Sequence, residues 1–456
     1  MSAVRIHGFV FAFFSLLAVA ARAAESPGVT ASVVPYGDSA TVVVESLEPR
    51  KVRISVDPRT AREPRMLRVE LPTSGPNAWP IADVEVRDAQ NAAFPVRRSG
   101  IEWQKLLIPI PAVRATYMVQ AVDRPEGRPA LPAERERQIT DEAMALSLAI
   151  ARWHDGKQAA LSIRFDDSHP SHLSKAIPIL REYGFRGTFM INPGEREPDS
   201  RRRSAFEDHR AEWEAVAKRG DQEFANHTAH HRGAIGDADM EAQVGEAARE
   251  IWRLFPGKSR LTALNLGGGT FWETTRTLGY YLDKYHQFDA SQNSLGMDDS
   301  YGNRVGAFRE MLQQHIHRGL WCRIHYHYIG EGLSSSEANY RAALDIAEQH
   351  KASLWIAGMA DIHKYQAERT GAALSRVNSG GRQLLFRLVC LTDPELFDQP
   401  LTLEIKSTAA RPLERVAVKD MDGKAIVVRS WHAGGQTVWR FDAFPRTAEF
   451  SIDLEP

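Results

Sequence analysis

The 456-residue chain has little cysteine, almost no net charge, and no internal repeat or low-complexity tract. Its two cysteines, Cys322 and Cys390, can form at most one disulfide, which cannot hold a chain of this length together, so apolar cores must stabilise it. The 57 basic and 58 acidic side chains nearly cancel. Net charge therefore gives no reason to expect nucleic acid or an anionic membrane as a partner.

Long apolar runs are also missing, except at the N-terminus. Arg5 precedes an apolar stretch over 9–20, and Ala21 and Ala23 lie at the spacing of a signal-peptide cleavage site. The stretch has 12 residues, whereas a bilayer-spanning helix needs roughly 20. We expect residues 1–23 to be a signal peptide that exports the protein to the periplasm or the medium, with no transmembrane segment after its removal. An uncleaved anchor is the alternative.

The two ends of the remaining chain have the pattern of β-structure. Short alternating runs such as "KVRISV" and "LTLEIKS" are separated by turns rich in proline and glycine, and Asp422-Gly423 marks a hairpin. The breaker-rich segment "DRPEGRPALPAERER" indicates a linker, and "ITDEAMALSLAIAR" (139–152) predicts a helix. The predicted organisation is a signal peptide (1–23), a β-sandwich domain (28–123), a linker and helix (124–152), a catalytic domain (153–375) and a C-terminal β domain (381–456).

The middle of the chain alternates strands and helices. The run "AALSIRF" (159–165) is followed by a helix over 171–183, and further strand–helix pairs continue to about residue 358, including a predicted helix over 272–280. Such alternation predicts parallel strands with crossover helices, either doubly wound or closed into a barrel. In both folds, ligands lie at the carboxyl ends of the strands.

Histidine is concentrated in this middle part, where 14 of the 16 histidines lie. Asp166 and Asp167 follow the strand at 159–165, and His227 and His231 follow another predicted strand. On a helical turn, residues four apart face the same side and can share one ion, whereas His230 would point elsewhere. Two histidines and a carboxylate are a known ligand set for a hydrolytic metal, and the other aspartate would be free to act as a base. A surface histidine pair and a solvated acidic loop are the simpler alternatives.

These motifs resemble those of the polysaccharide deacetylases of the NodB-homology type. "RFDD" (164–167) is similar to the family's T-F-D-D motif, and "HTAHH" (227–231) to its H-[ST]-x-x-H motif. "HYHYIGEG" and "SLWIAGMADIHKYQAER" resemble its last catalytic histidine and closing strand and helix. The resemblance covers about 155–372. It implies a distorted (β/α) barrel of about seven strands, so the predicted class is α/β, with this barrel flanked by two small all-β, sandwich-like domains.

The resemblance also implies roles for individual residues. Asp166 would be the general base, and a divalent metal, with zinc as the favoured ion, would be held by Asp167, His227 and His231. Thr228 would stabilise the motif loop by hydrogen bonding. His327 would be the general acid, with His325, two residues earlier on the same strand face, as the alternative.

The chain departs from the family pattern at three places. The third motif, an Arg-x-Pro-Tyr that orients the base, is replaced by "NLGGGTFW" (265–272), and the fourth, with an Asp and a Trp, is not identified within "DASQNSLGMDDSYG" (289–302). Ser168 and His169 follow "FDD" where the family usually has glycine. These changes leave the tuning of Asp166, the acyl pocket and the substrate open, but they remove none of the implied metal ligands.

Further residues have weaker assignments. His169 could support the site, although a solvated loop position is the simpler interpretation. Phe271 and Trp272 could stack on a sugar ring, or they could belong to the core. A backbone N–H near Gly194 or in the glycine run 267–269 would hold the oxyanion.

The sequence therefore predicts an exported, metal-dependent deacetylase of an acetylated glycan. N-acetyl hexosamine is the favoured substrate and an O-acetyl sugar the next. The alternatives are a hydrolase of another non-peptide C–N bond and a non-catalytic glycan-binding protein on the same barrel. Oligomeric state and pairing of the two cysteines are left open.

Overall fold

A computed structural model describes most of the chain. The described residues are 28–34, 40–59, 65–72, 78–79, 84–91, 97–99, 105–110, 113–121, 132–195, 205–291, 293–390, 392–409, 413, 415–433 and 436–455. The predicted signal peptide at 1–23 lies outside these residues.

The N-terminal region consists of antiparallel strands in two sheets. The strands are β1 (Thr30–Val34), β2 (Ala40–Glu48), β3 (Lys51–Pro58), β4 (Arg65–Glu70), β5 (Val84–Arg87), β6 (Arg97–Ser99), β7 (Lys105–Ile110) and β8 (Ala115–Ala121). One sheet has the order β1-β4-β7-β6 and the other β2-β3-β8-β5. Val52, Ile54 and Val56 alternate into a shared apolar core, as the sequence pattern predicts.

The helix predicted over 139–152 is wrong. A short 3₁₀ turn (Glu134–Arg137) leads into β9 (Gln138–Asp141) and β10 (Leu146–Ile150). Leu146, Leu148 and Ile150 are buried at alternate positions, and β10 pairs in antiparallel fashion with the strand Leu401–Ser407 near the end of the chain. Pairing with a distant strand overrides the helical preference of the Ala-, Met- and Leu-rich composition.

The middle region is the predicted α/β fold. Its strands are β11 (Ala159–Phe165), β12 (Thr188–Ile191), β13 (Glu223–Asn226), β14 (Ala234–Ile235), β15 (Thr262–Leu264), β16 (Trp272–Glu273), β17 (Gln287–Asp289), β18 (Leu295–Gly296), β19 (Trp321–Tyr326) and β20 (Leu354–Ile356). Its helices are α1 (Ile177–Tyr183), α2 (Ala205–Asp208), α3 (Arg210–Arg219), α4 (Asp237–Leu254), α5 (Leu278–Lys284), α6 (Arg304–Arg318), α7 (Glu337–Gln349) and α8 (Met359–Thr370).

The main sheet is a curled, parallel half-barrel. Within the described residues its seven-stranded order is β17-β15-β13-β12-β11-β19-β18, and β20 pairs with the start of β11. The fold class predicted from the sequence is confirmed. The helix predicted over 272–280 begins only at Leu278, because Trp272 and Glu273 pair with β14 instead.

The C-terminal region is again antiparallel. Its strands are β21 (Ala372–Gly380), β22 (Gln383–Cys390), β23 (Leu401–Ser407), β24 (Arg415–Asp420), β25 (Ala425–Ile426), β26 (Arg429–Ala433), β27 (Gln436–Ala443) and β28 (Ala448–Glu455). One sheet has the order β21-β22-β28-β24-β25, and the other, β26-β27-β23-β10-β9, includes the segment before the half-barrel. The domain boundaries themselves stay predictions.

Apolar packing joins the half-barrel to the C-terminal sheets. Ala160, Ala225 and Ala263 of the half-barrel belong to the same buried cluster as Leu403 and Phe386. On β11 the alternate residues Leu161, Ile163 and Phe165 pack into a second cluster with the surrounding helices. One face of β11 therefore meets the helices, and the other carries Ala160 at its start and polar side chains towards its carboxyl end.

Two further features of the structure concern the cysteines and the helices. Among the described residues, Cys322 and Cys390 are both buried and no disulfide joins them. None of the described helices combines the length and apolar character that crossing a bilayer requires.

Candidate active site

Three predicted metal ligands converge at the carboxyl end of the sheet. Asp167 follows β11, while His227 and His231 follow β13. Nε2 of His227 and Nε2 of His231 lie 3.3 and 3.5 Å from Oδ1 of Asp167. One ligand atom from each residue lies within 4.8 Å of the others. The three residues, called the ligand cluster below, are the types and number that a hydrolytic divalent metal takes.

His227 and His231 come together through an irregular turn, and not through the helical spacing considered from the sequence. Residues 227–231 form an irregular turn in which Thr228 and His231 have positive φ values of 68° and 53°. Thr228 Oγ1 accepts a hydrogen bond from the His231 N–H at 3.1 Å, and the Thr228 N–H donates to Asn226 Oδ1 at 2.7 Å. Thr228 therefore stabilises the turn that brings the two imidazoles together.

Neighbouring groups fix the orientation of the cluster. Nδ1 of His227 lies 2.9 Å from the Asn265 carbonyl oxygen, which leaves Nε2 facing Asp167. Tyr328 donates its hydroxyl to Oδ2 of Asp167 at 3.2 Å. His230 points away, as the sequence predicts, and its ring lies between Gln243 Nε2 and the Glu195 carbonyl oxygen, each at 2.9 Å.

Asp166 is buried beside the ligand cluster and pairs with Arg164. Nη2 of Arg164 donates to Oδ2 of Asp166 at 3.0 Å, and Nε lies 2.9 Å from Oδ1 as an ion-pair contact. Burial alone would raise the pKa of Asp166, but the Arg164 guanidinium and nearby histidines outweigh it and lower that pKa. Asp166 is therefore ionised and able to accept a proton.

His327, directly after β19, is paired with Asp298. Nδ1 of His327 is 2.6 Å from Oδ2 of Asp298, and the His327 N–H donates to Oδ1 at 3.3 Å. The hydrogen bond to Asp298 raises the pKa of His327 against the opposing effect of burial. A histidine with a raised pKa keeps its proton at higher pH, as a general acid requires.

His325 has the opposite electrostatics. Its Nδ1 lies 3.0 Å from the Ser294 hydroxyl, and burial together with the Arg164 charge lowers its pKa to about 4. His325 is therefore neutral near pH 7. Of the two histidines considered for the general acid, His327 has the more suitable surroundings.

The two histidines of "SHPSH" differ in environment. His169 contacts the Tyr328 ring at a centroid distance of 4.1 Å, and its Nδ1 lies 2.8 Å from the Ser171 hydroxyl. His172 is fully buried against Phe165, and its Nε2 contacts the His327 carbonyl oxygen. His169 thus lies beside the ring that holds Asp167, whereas His172 is part of the core.

The glycine-rich segment after β15 packs against His231. A Cβ on Gly267, which has φ of +86°, would lie 2.4 Å from Nε2 of His231, so glycine allows this close approach. The Gly267 N–H donates to Asn265 Oδ1, and the Gly194 N–H donates to the Ala229 carbonyl. Of the amides considered for the oxyanion, those of Gly194 and Gly267 therefore bind protein oxygens.

The two aromatic residues after this segment are placed differently. The side chain of Phe271 is 85% exposed, next to the turn that carries Gly233. Trp272 is half-buried, packs against the cluster between α4 and α5, and donates its Nε1–H to Thr270 Oγ1 at 2.6 Å. The exposed Phe271 ring is available to a ligand, whereas the Trp272 side chain packs within the protein.

Residues 154–282 match the family model described as polysaccharide deacetylase. The resemblance to that family is confirmed. The matched deacetylase segment contains Asp166, Asp167, His227 and His231, and it ends before Asp298 and His327.

Comparisons with individual proteins give lower similarity. A gellan lyase of a Bacillus species is 21% identical over 281 residues, which is 56% of this chain but only 11% of the lyase. A family 4 carbohydrate esterase from Streptomyces lividans is 18% identical, with coverage of 45% and 94% of the two chains and a TM-score of 0.32. The peptidoglycan deacetylase PdaC from Bacillus subtilis is 14% identical, with coverage of 45% and 91% and the same TM-score of 0.32. The similarity to polysaccharide deacetylases therefore rests on the match of residues 154–282 to the family model.

The fold also brings in two residues that the sequence pattern did not single out. Asp298 lies in the stretch "DASQNSLGMDDSYG", where the aspartate of the fourth motif could not be identified, and only its contact with His327 singles it out. Arg164 precedes "FDD" and was considered only as part of that motif. Its alternation with Asp166 on β11 was the available signal, because residues two apart on a strand share a face.

Proposed function

We propose that the protein is an exported, metal-dependent deacetylase that removes acetyl groups from a glycan. N-acetyl hexosamine is the favoured substrate, and an O-acetyl sugar ester is the next. The observation that carries the proposal is the convergence of the ligand cluster next to Asp166, which is paired with Arg164, and near His327, which is paired with Asp298. Export rests on the signal-like sequence at 1–23.

The residues of the ligand cluster fit a divalent metal ion. Two imidazole nitrogens and a carboxylate oxygen converge, and the Asn265 carbonyl and the Tyr328 hydroxyl orient two of the three ligands from behind. This mixed nitrogen and oxygen set favours zinc. When bound, such an ion lowers the pKa of water from ~15.7 toward ~7 and polarises an acyl carbonyl.

The protein side chains then supply the proton transfers. Asp166 takes a proton from the attacking water as the carbonyl carbon is attacked. His327, held in its protonated form by Asp298, gives a proton to the leaving nitrogen or oxygen as the acyl bond breaks. The exposed Phe271 ring offers an apolar face on which a sugar ring can stack.

The test is acetate release from N-acetylglucosamine oligosaccharides and from O-acetylated sugars. The purified protein is stripped of metal with a chelator and assayed before and after addition of Zn²⁺ or Co²⁺. Release that depends on added metal and is abolished by Asp166→Asn supports the proposal. Asp345→Asn is the matched control, because Asp345 is a surface carboxylate that accepts a hydrogen bond from Tyr183.

The other outcomes separate the alternatives. Turnover of small amides without release of acetate from any glycan would favour a hydrolase of another C–N bond. Binding of acetylated glycans without turnover in the presence of metal would favour a glycan-binding protein. Either result would overturn the proposed deacetylase.

A further inference from the structure

Arg164 lies inside the half-barrel, directly below the proposed base. Ser162 and Arg164 of β11, and Asp166 directly after it, alternate with Leu161, Ile163 and Phe165, which pack against the helices. Only 4% of Arg164 is exposed to solvent. A buried guanidinium needs a partner charge and hydrogen-bond acceptors, because it has lost its hydration.

The contacts of Arg164 connect Asp166 to a second strand. One edge of the guanidinium meets both carboxylate oxygens of Asp166, at 2.9 Å from Nε to Oδ1 and 3.0 Å from Nη2 to Oδ2. Its Nη1 donates to the Ala290 carbonyl oxygen, just after β17, at 2.8 Å. A planar guanidinium held at both ends fixes the rotation of the carboxylate, which a single point charge would not do.

The backbone under this pair is also fixed. Arg164 pairs with Thr188 of β12 on one side and with His325 of β19 on the other. The Asp166 N–H donates to the Tyr326 carbonyl at 2.9 Å. Because the backbone is fixed, only the side chains of Arg164 and Asp166 can change conformation here, and their mutual contact restricts the rotamer of each.

We propose that Arg164 is the positioning residue for Asp166. It orients this carboxylate in place of the third-motif arginine, which this sequence lacks. The expected effect of Arg164 on catalysis rests on the proposed function. Arg164 is 4% exposed, and its side chain contacts the Asp166 carboxylate and the Ala290 carbonyl, so it acts through Asp166. It holds the carboxylate beside Asp167 in one rotamer, ready to face the attacking water.

The competing interpretation is that Arg164 only neutralises a buried charge and stabilises the fold. Both interpretations expect lower stability when Arg164 is replaced. They differ in the split between kcat and KM, in rescue by a conservative variant, and in the position of the Asp166 side chain. The test must therefore measure these three properties rather than activity alone.

The experiment compares Arg164→Met and Arg164→Lys with Arg137→Met in the full, zinc-loaded protein. Arg137 is a matched control because it is also buried and paired, with Glu134 and the Thr370 carbonyl, away from the site. For R164M we expect kcat for acetate release from N-acetylglucosamine oligosaccharides to fall about 10²-fold, with KM changed less than about threefold and zinc content unchanged. R164K should recover about tenfold of that loss. R137M should lower the melting temperature and leave kcat unchanged.

Crystal structures of the variants provide a readout that does not need turnover. In R164M the strand and the ligand cluster should stay in place, while the Asp166 carboxylate leaves its wild-type rotamer. An unmoved carboxylate, or a kcat equal to that of R137M, would overturn the proposal. If R164M does not fold, the R164K structure and its kcat decide in the same way. Absence of acetate release in the wild type would overturn the proposed function, while the carboxylate position would still test the role of Arg164.

Discussion

The two parts of the candidate site balance their charges in different ways. In the ligand cluster, Asp167 faces the imidazoles of His227 and His231, which would be neutral if they bind a metal ion, so the ion would supply the compensating charge. On the proposed proton-transfer side, Asp166 is paired with Arg164 and His327 with Asp298. The first side would therefore need an added cation, whereas the second pairs its charges within the protein.

This difference indicates how two adjacent carboxylates can both stay ionised at the end of a buried strand. In the sequence, the only cation expected beside Asp166 and Asp167 is the implied metal ion. In the structure Arg164 lowers the pKa of Asp166 against the effect of burial. A metal ion is then needed mainly for Asp167 and its histidines, so changes on the two sides should have separable effects on metal binding and on proton transfer.

The largest effect is expected from His227→Ala, which tests the metal side. Removal of one ligand from a three-residue set should lower zinc affinity by at least about 100-fold and acetate release below detection. Zinc content by mass spectrometry and kcat give the two readouts. His230→Ala is the matched control, since His230 lies three residues away and points to Gln243. Equal zinc loss in both variants would contradict the ligand assignment.

Asp166→Asn should reduce kcat by about 10²–10⁴-fold, because the amide cannot accept the proton from water. Zinc content should stay at the wild-type level, since Asp166 is not part of the ligand cluster. Steady-state kinetics and metal analysis on the same preparation check both statements. If Asp166→Asn lost zinc in proportion to its loss of activity, metal binding and proton transfer would not be separable.

Asp298→Asn should have a smaller effect, with kcat reduced roughly tenfold near neutral pH. Asp298 raises the pKa of His327, so removal of its charge lowers that pKa. The variant therefore loses the His327 proton at lower pH, and the alkaline limb of its pH–rate profile moves to lower pH. The measurement is kcat from pH 5 to about 10.

Asp299→Asn is the control for this profile. Asp299 is adjacent in sequence, but it accepts hydrogen bonds from the Ser336 N–H and Asn339 Nδ2, each at 2.9 Å, at the start of α7. Its replacement should leave the alkaline limb unchanged. An identical shift in both variants would indicate a general loss of negative charge and would contradict a specific Asp298–His327 pair.

The fold and the ligand cluster could be predicted because their signals are local. The strand at 159–165 is buried along its whole length and ends directly at Asp166. The motif after β13 contains both histidines within five residues, so the chain needs only one turn to bring them together. The helix predicted over 139–152 failed because its pairing partner, Leu401–Ser407, lies far away in sequence.

The paired residues on the proton-transfer side could be found only in part from local pattern. Asp298 lies 29 residues from His327 and is followed by a second aspartate with a different role. Arg164 has the appearance of an ordinary polar residue in a strand; its contact with Asp166 is local, but its contact with the Ala290 carbonyl joins residues 126 apart. The contacts with Asp298 and Ala290 depend on how distant strands are placed, which single-sequence reasoning does not determine.

The smallest effect is expected at Phe271, on the rim of the cleft. Loss of one stacking ring costs about 1 kcal/mol, which corresponds to roughly a fivefold rise in KM. Phe271→Ala should therefore raise KM for N-acetylglucosamine oligosaccharides and leave kcat and zinc content unchanged. Phe444→Ala is the matched control, because Phe444 is also exposed, at 62%, but belongs to the C-terminal region. A fall in kcat would place Phe271 among the groups that position the reacting bond, whereas equal KM values in both variants would remove it from the glycan-binding surface.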